Sequence, residues 1–211
     1  MTTKERYSGI IDWFRINMPA PQSELNHLNG YQLLVSVILS AQCTDKRVNT
    51  VTPALFDRYP EPKDLAKAEF DEVFSLIRSV SYPNNKAKHI IGMAQKLVSD
   101  YDSVIPDSVE ELQKLPGVGR KSANVVASII YDKPVIAVDT HVFRISRRLG
   151  LSAGKTVEAV EKDLTRNIPK EFRATSHHWL ILHGRYICTA RNPKCAECGI
   201  SGYCQSYIKP A

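Results

Sequence analysis

An all-α fold is predicted, on three observations. Apolar residues recur at spacings of three and four along nearly the whole chain of 211 residues, alternating stretches are few, and prolines punctuate the gaps between periodic segments. The hydrophobic share is 43% and the charged share 24%, which excludes low-complexity, collagen-like and disulfide-scaffold proteins. A chain of this length suffices for one large domain or two small ones. No apolar run approaches the ~20 residues of a bilayer span, and the longest, Leu33 to Leu39, is interrupted by Ser36. The opening Met1-Thr2-Thr3-Lys4-Glu5-Arg6 is polar and leads into Trp13 and Phe14 without an apolar signal core, so a cytoplasmic protein with no membrane contact is expected.

Element by element, the first helix carries Ile10, Ile11 and Phe14 and ends before Pro19 and Pro21. Residues 31–41 are apolar on all sides (Leu33, Leu34, Val35, Val37, Ile38, Leu39), the pattern of a central buried helix. Further helices are expected over residues 49–59, 70–79 and 87–101, with Pro60, Pro62, Pro83 and Pro106 between them. Asp107 or Ser108 then offers an N-cap, with Glu110 or Glu111 as its capping-box partner, and Val109, Leu112 and Leu115 line one face. Pro116-Gly117-Val118-Gly119 stops that helix, and residues 120–131 restart one with Val125, Val126, Ile129 and Ile130 inward. A short extended run, Val135-Ile136-Ala137-Val138, leads to Asp139; the next helix buries Val142, Ile145 and Leu149 while Arg144, Arg147 and Arg148 share another face. His177, His178 and His183 fall in a Trp- and Leu-rich helix, where packing or capping histidines are commoner than metal ligands, and Cys43 reads as a small buried apolar residue.

The formal net charge of +6 and pI near 9.0 favour a polyanionic partner without specifying one. The Pro-Gly-Val-Gly turn is more informative. Glycines at 117 and 119 permit left-handed backbone angles and remove bulk, so the loop's N–H groups and the orphan donors of the following helix can converge on one phosphate. By itself the turn reads first as a corner between helices whose glycines merely allow the bend. Arg120 and Lys121, however, open the second helix at the end where the macrodipole disfavours cations. A lysine there, beside an arginine, is expected to have its pKa lowered from ~10.4. The neutral amine is a nucleophile toward carbonyl-like carbons, although a phosphate-binding lysine fits the same place. Asp139 is first of all an N-cap, and is also placed to stabilise a developing cation.

Five cysteines, four of them crowded into residues 188–204, argue for metal rather than disulfides. Four thiolates suit either a [4Fe–4S] cluster or tetrahedral zinc, and only Cys195 and Cys198 form a CxxC pair, so spacing alone leaves both open.

Taken together, Leu115-Pro116-Gly117-Val118-Gly119-Arg120-Lys121 and Val138-Asp139-Thr140-His141-Val142 resemble the helix-hairpin-helix DNA glycosylase superfamily. Cys188-x6-Cys195-x2-Cys198-x5-Cys204, Leu39-Ser40-Ala41-Gln42 and His177-His178-Trp179-Leu180-Ile181-Leu182-His183-Gly184-Arg185 resemble its iron–sulfur branch, and the likeness covers essentially the whole chain. The resemblance implies two all-α domains: residues 22–132 as a helical barrel containing the hairpin, and residues 1–21 plus 133–211 as a discontinuous domain carrying one [4Fe–4S] cluster on Cys188, Cys195, Cys198 and Cys204. It also implies a bifunctional glycosylase and abasic-site lyase of base excision repair, acting on oxidised or saturated pyrimidines in double-stranded DNA as a nucleoid-associated monomer. Lys121 would attack C1′ of the damaged nucleotide, with Asp139 stabilising the transition state. Gly117, Val118 and Gly119 would hold a phosphate, with Arg120, Arg144, Arg191 and Lys194 as further DNA contacts. The adenine-removing branch carries a small hydroxyl residue where Lys121 stands, so the lysine favours lyase chemistry. Gln42 matches a residue that enters the gap left by a flipped base. The second wedge, a leucine in many members, is replaced here by Tyr82 in Tyr82-Pro83-Asn84, with Asn84 beside it, which leaves the opposite-base preference open.

Overall fold

The computed structural model describes residues 1–207 and, among them, is helical with no strand. Local chemistry explains where the helices start. Thr2 opens α1 (Thr3–Asn17) with a capping box: its hydroxyl accepts from Glu5 N while Glu5 Oε2 accepts from Thr2 N at 2.7 Å. Asn29 caps α2 (Gly30–Leu39), accepting from Gln32 N at 2.9 Å, and Thr44 caps α3 (Asp45–Arg58) in the same way through Arg47 N. A four-residue α4 (Pro62–Leu65) precedes α5 (Phe70–Ile77) and α6 (Pro83–Asp100). Ser108 accepts from Glu111 N to start the short α7 (Val109–Leu112), which leads through the glycine turn into α8 (Arg120–Tyr131).

These helices from α2 to α8 form one compact unit, Ser23–Tyr131. Its axis is α2, which touches α3, α6 and α8, while α4 and α5 lie on α6 and α7 lies on α8. Leu33, Leu34, Val35 and Leu39 of α2 are 0% exposed, so the helix is apolar all round because it is surrounded.

The second unit combines Met1–Gln22 with the chain from Asp132 onward. Here α9 (Thr140–Leu149) packs on α10 (Val157–Asn167) and α11 (Arg173–Tyr186). Ile10, Phe14, Ile145, Leu149, Leu164 and Trp179 form its core, with Phe14 stacked on Trp179 at 5.6 Å between ring centroids and Trp179 Nε1 donating to Met18 O at 2.7 Å.

Several boundaries differ from the sequence expectation, each for a stated reason. The third helix starts at Asp45 rather than residue 49 because Thr44 is its cap. Pro83 begins α6 instead of breaking it, since a proline at the first helical position forfeits no hydrogen bond. The central helix stops at Leu39 because Gln42 turns left-handed, at φ 53°. The Val135–Val138 run forms no strand; Val135 N bonds back to Lys133 O at 2.8 Å, while Ile136, Ala137 and Val138 are buried as irregular chain. No helix among the described residues is long and apolar enough to cross a membrane.

Candidate active site and metal centre

The glycine turn treats its two glycines differently. Gly117 is left-handed, at φ 80°, and a Cβ there would lie 2.8 Å from His89 Cβ and 3.0 Å from Ile38 Cγ2, so this position accepts only glycine. Gly119 is not left-handed, contrary to expectation, and a Cβ on it would meet nothing within 4 Å. Its carbonyl accepts the first bond of α8 from Ala123 N at 2.9 Å, which makes it the residue before the helix. Glycine there supplies no side-chain cap and leaves open space over the helix end. Val118 is buried and anchors the turn.

Arg120 is exposed and Lys121 half-buried at the first two positions of α8, whose first turn contains no acidic residue. The first turn of the helix therefore carries two cations and none of the carboxylates that a helix start normally prefers. Asp139, half-buried, is the N-cap of α9: Oδ1 accepts from Val142 N at 2.7 Å. That bond fixes the carboxylate's rotamer at the end of the buried 136–138 segment.

Gln42 and Tyr82 share an unusual backbone state. Both are exposed and left-handed, with φ 53° and 55°, and Tyr82 stands immediately before α6 without capping it. Non-glycine residues held this way cost on the order of 1–3 kcal/mol each, and Asp102, Ser103, Asp132 and Asn192 are held in the same region. Asn84 is exposed in the first turn of α6.

The four clustered cysteines are half-buried, and Cys188, Cys198 and Cys204 pack against the second unit's core. Their thiols act electrostatically on one another, and burial pushes those of Cys198 and Cys204 up. The amides of Ile200 and Ser206 donate to Cys198 and Cys204 respectively. Arg148 Nη1 lies 3.6 Å from Cys188 Sγ, and His183 Nε2 lies 3.6 Å from Cys198 Sγ. Burial lowers the pKa of His183 to about 4, so it is a neutral packing residue, edge-on to Phe14 at 5.7 Å. His177 Nδ1 pairs with Ala137 O at 2.9 Å. Among the described residues no three His, Cys, Asp or Glu side chains converge tightly enough to hold a single metal ion. Four cysteine thiols are the donor set that a [4Fe–4S] cubane takes, one to each iron.

Of the expected DNA contacts in this unit, Arg191 and Lys194 are exposed on the loop between Cys188 and Cys195. Arg144 is placed otherwise: its Nη2 donates to Gly184 O at 2.8 Å and Cys188 O at 3.1 Å, bracing the approach to the first cysteine. Sequence reading gives no role to Arg148, which reaches Thr189 O at 2.7 Å and Ala190 O at 2.9 Å. The 144/147/148 spacing marks a shared helix face, but not which of its members turns inward. Cys43, expected to be buried, is half-buried.

Residues 35–170 match the HhH-GPD superfamily of base excision DNA repair proteins, and residues 188–204 match the iron–sulfur binding domain of endonuclease III. Endonuclease III of Rickettsia prowazekii is 48% identical over 94% of both chains, and that of Escherichia coli K12 is 41% identical over 93% of both. A solved structure of a trapped endonuclease III–DNA covalent intermediate superposes with a TM-score of 0.91 at 42% identity, covering 98% of this chain and 97% of that one. The chain belongs to the HhH-GPD superfamily of base excision DNA repair proteins and, within it, to the endonuclease III family, whose cofactor is a [4Fe–4S] cluster.

Proposed function

We propose that the protein is a bifunctional DNA glycosylase and abasic-site lyase that removes oxidised or saturated pyrimidines from double-stranded DNA and cuts the strand 3′ to the site. The observation that carries this reading is Lys121, half-buried in the first turn of a helix that opens with two cations, directly after a glycine turn open to an anion. Match to an endonuclease III trapped covalently on DNA supports it.

A lesion must leave the stack before a side chain reaches its sugar, and weakened pairing lowers that cost. Gln42 and Tyr82 fill the gap, with Asn84 beside them, and the Gly117-Val118-Gly119 turn with Arg120 holds a phosphate next to the extruded nucleotide. The unprotonated Lys121 amine forms a bond to C1′ as the base departs with the glycosidic electron pair. Asp139 stabilises the positive charge on the sugar and accepts the proton that the lysine loses. Opening of the sugar ring leaves an imine between Lys121 and C1′. The imine acidifies C2′; loss of that proton expels the 3′ phosphate and breaks the strand.

Cys188, Cys195, Cys198 and Cys204 would hold the cluster, which when bound would fix the loop presenting Arg191 and Lys194. Each of those cations adds salt-dependent affinity for the DNA backbone. The protein works as a monomer in association with the nucleoid. Borohydride reduction tests the reading: wild type incubated with a duplex containing an oxidised pyrimidine yields a covalent adduct, and Lys121→Ala yields none. Absence of an adduct with wild type refutes it, and base release without strand cleavage would identify a monofunctional glycosylase instead.

A further inference from the structure

Lys86 is 4% exposed and lies on the buried stripe of α6 with Ile90, Met93 and Leu97, each 0% exposed. The spacing of four, three and four marks it as a core position of that helix. An ammonium there is costly: burial pulls its pKa below the ordinary lysine value, and an aliphatic side chain of the same length would pack without that penalty.

Its hydrogen bonds show what the charge achieves. Nζ donates to the carbonyl of Leu39 at 2.7 Å, and the backbone N–H of the same residue donates to Tyr82 O at 3.2 Å. Leu39 is the last residue of α2, where carbonyls lack helical partners and the helix dipole is negative. The following turn bonds Ala41 N to Ile38 O and Cys43 N to Ser40 O, so neither amide takes the Leu39 carbonyl. One residue thus ties the end of α2, three residues before left-handed Gln42, to left-handed Tyr82 at the start of α6. Both exposed side chains hang from backbone that Lys86 joins. Cys43 is the titratable neighbour whose charge acts on the ammonium.

We propose that Lys86 is a positioning residue that holds the Gln42 and Tyr82 loops in register as a two-pronged wedge for the duplex. The inference rests on the reading of Gln42 and Tyr82 as the side chains that fill the gap. It separates two activities: filling a gap matters when the abasic site lies in a duplex, and is irrelevant when the same site lies in a single strand, where Lys121 acts without a helix to open.

The test is single-turnover strand cleavage by the cluster-loaded protein on one abasic oligonucleotide, single-stranded and annealed. Lys86→Met should lose about tenfold or more on the duplex while staying within about twofold of wild type on the single strand. Gln42→Ala added to Lys86→Met should cost several-fold less than Gln42→Ala alone, because the prong is already out of register. Equal loss on both substrates, no loss on the duplex, or full additivity with Gln42→Ala overturns the proposal. Should Lys86→Met fail to fold, Lys86→Gln, which keeps an N–H donor on a shorter uncharged arm, carries the same comparison. Failure of the underlying readings looks different. Wild type inactive on both substrates removes the lyase, and Gln42→Ala and Tyr82→Ala equally harmless on duplex and single strand remove the wedge.

Discussion

Asp139 caps a helix and is also the carboxylate proposed to act on the sugar, and substitution can separate the two roles. Its Oδ1 caps α9 through Val142 N, a role that asparagine performs equally well. Asp139→Asn should therefore leave thermal stability almost unchanged while slowing base release on the order of 10²-fold, because the neutral amide neither balances a cationic sugar nor accepts a proton. Asp139→Ala should match that kinetic loss and also cost about 1 kcal/mol of stability. Base-release kinetics beside thermal melts check both, and a destabilised Asp139→Asn would show that the carboxylate's charge, not its cap, holds the helix. The two hairpin glycines separate in the opposite sense. Gly117→Ala places a methyl against His89 and Ile38 on left-handed backbone and should cost about 1–3 kcal/mol in denaturant melts. Gly119→Ala enters open space, so its effect should fall on duplex affinity, measured by fluorescence anisotropy, with under about 1 kcal/mol lost from stability.

At the scale of elements, the loop that follows α11 is held to α9 by Arg148, whose guanidinium meets Cys188 Sγ, Thr189 O and Ala190 O together. Only a planar fork satisfies three acceptors so arranged, and an ammonium is a single point. Arg148→Ala and Arg148→Lys should both purify with less iron per chain and lose the remainder roughly tenfold faster to a chelator. Retention of iron by Arg148→Lys would reduce the contact to simple charge. The same elements show which features a sequence makes legible. Residues 120–131 are read to the residue as α8, since a glycine turn and a strong apolar face bound them. The helix over residues 157–167 goes unread: Val160 and Leu164 are buried on an otherwise polar segment, and its signal is the Thr156 cap. Lys86 goes unread for a related reason, because a charge on an apolar stripe looks like an interruption until its carbonyl partner is seen. The residue types on which the proposed chemistry rests, Lys121, Asp139 and the cysteines, stand out in the sequence itself. Contacts that depend on which way an arginine turns are not, and Arg144 is the example.

For the molecule as a whole, the chain's return to its beginning makes the cluster segment a fastener of one unit rather than a decoration on it. Residues 199–206 run back over α1 and the end of α9: Arg6 Nε donates to Tyr203 O at 2.9 Å, Gln205 N to Leu149 O at 3.3 Å, and Ser206 N to Arg148 O at 3.0 Å. Gly9 accepts the Tyr203 ring and Gly199 the Trp13 ring so closely that a Cβ at either position would come within 2.4 Å of the ring. The described 3-10 turns in this segment are three residues each, too short to persist without a cross-link. Four iron–thiolate bonds would supply that cross-link, and breaking them should free the loop first and α1 with it. The unit Ser23–Tyr131, with α2 at its axis, contains none of the four cysteines and has a core of its own. Iron removal should thus raise amide hydrogen exchange by orders of magnitude over residues 188–207 and markedly over α1, with slow exchange kept in α2 and α8. Mass-spectrometric exchange on holo and chelated protein reads this directly. Uniform loss of protection, reaching α2 as early as the cysteine loop, would mean that the two units unfold as one cooperative body and that the cluster secures the whole chain.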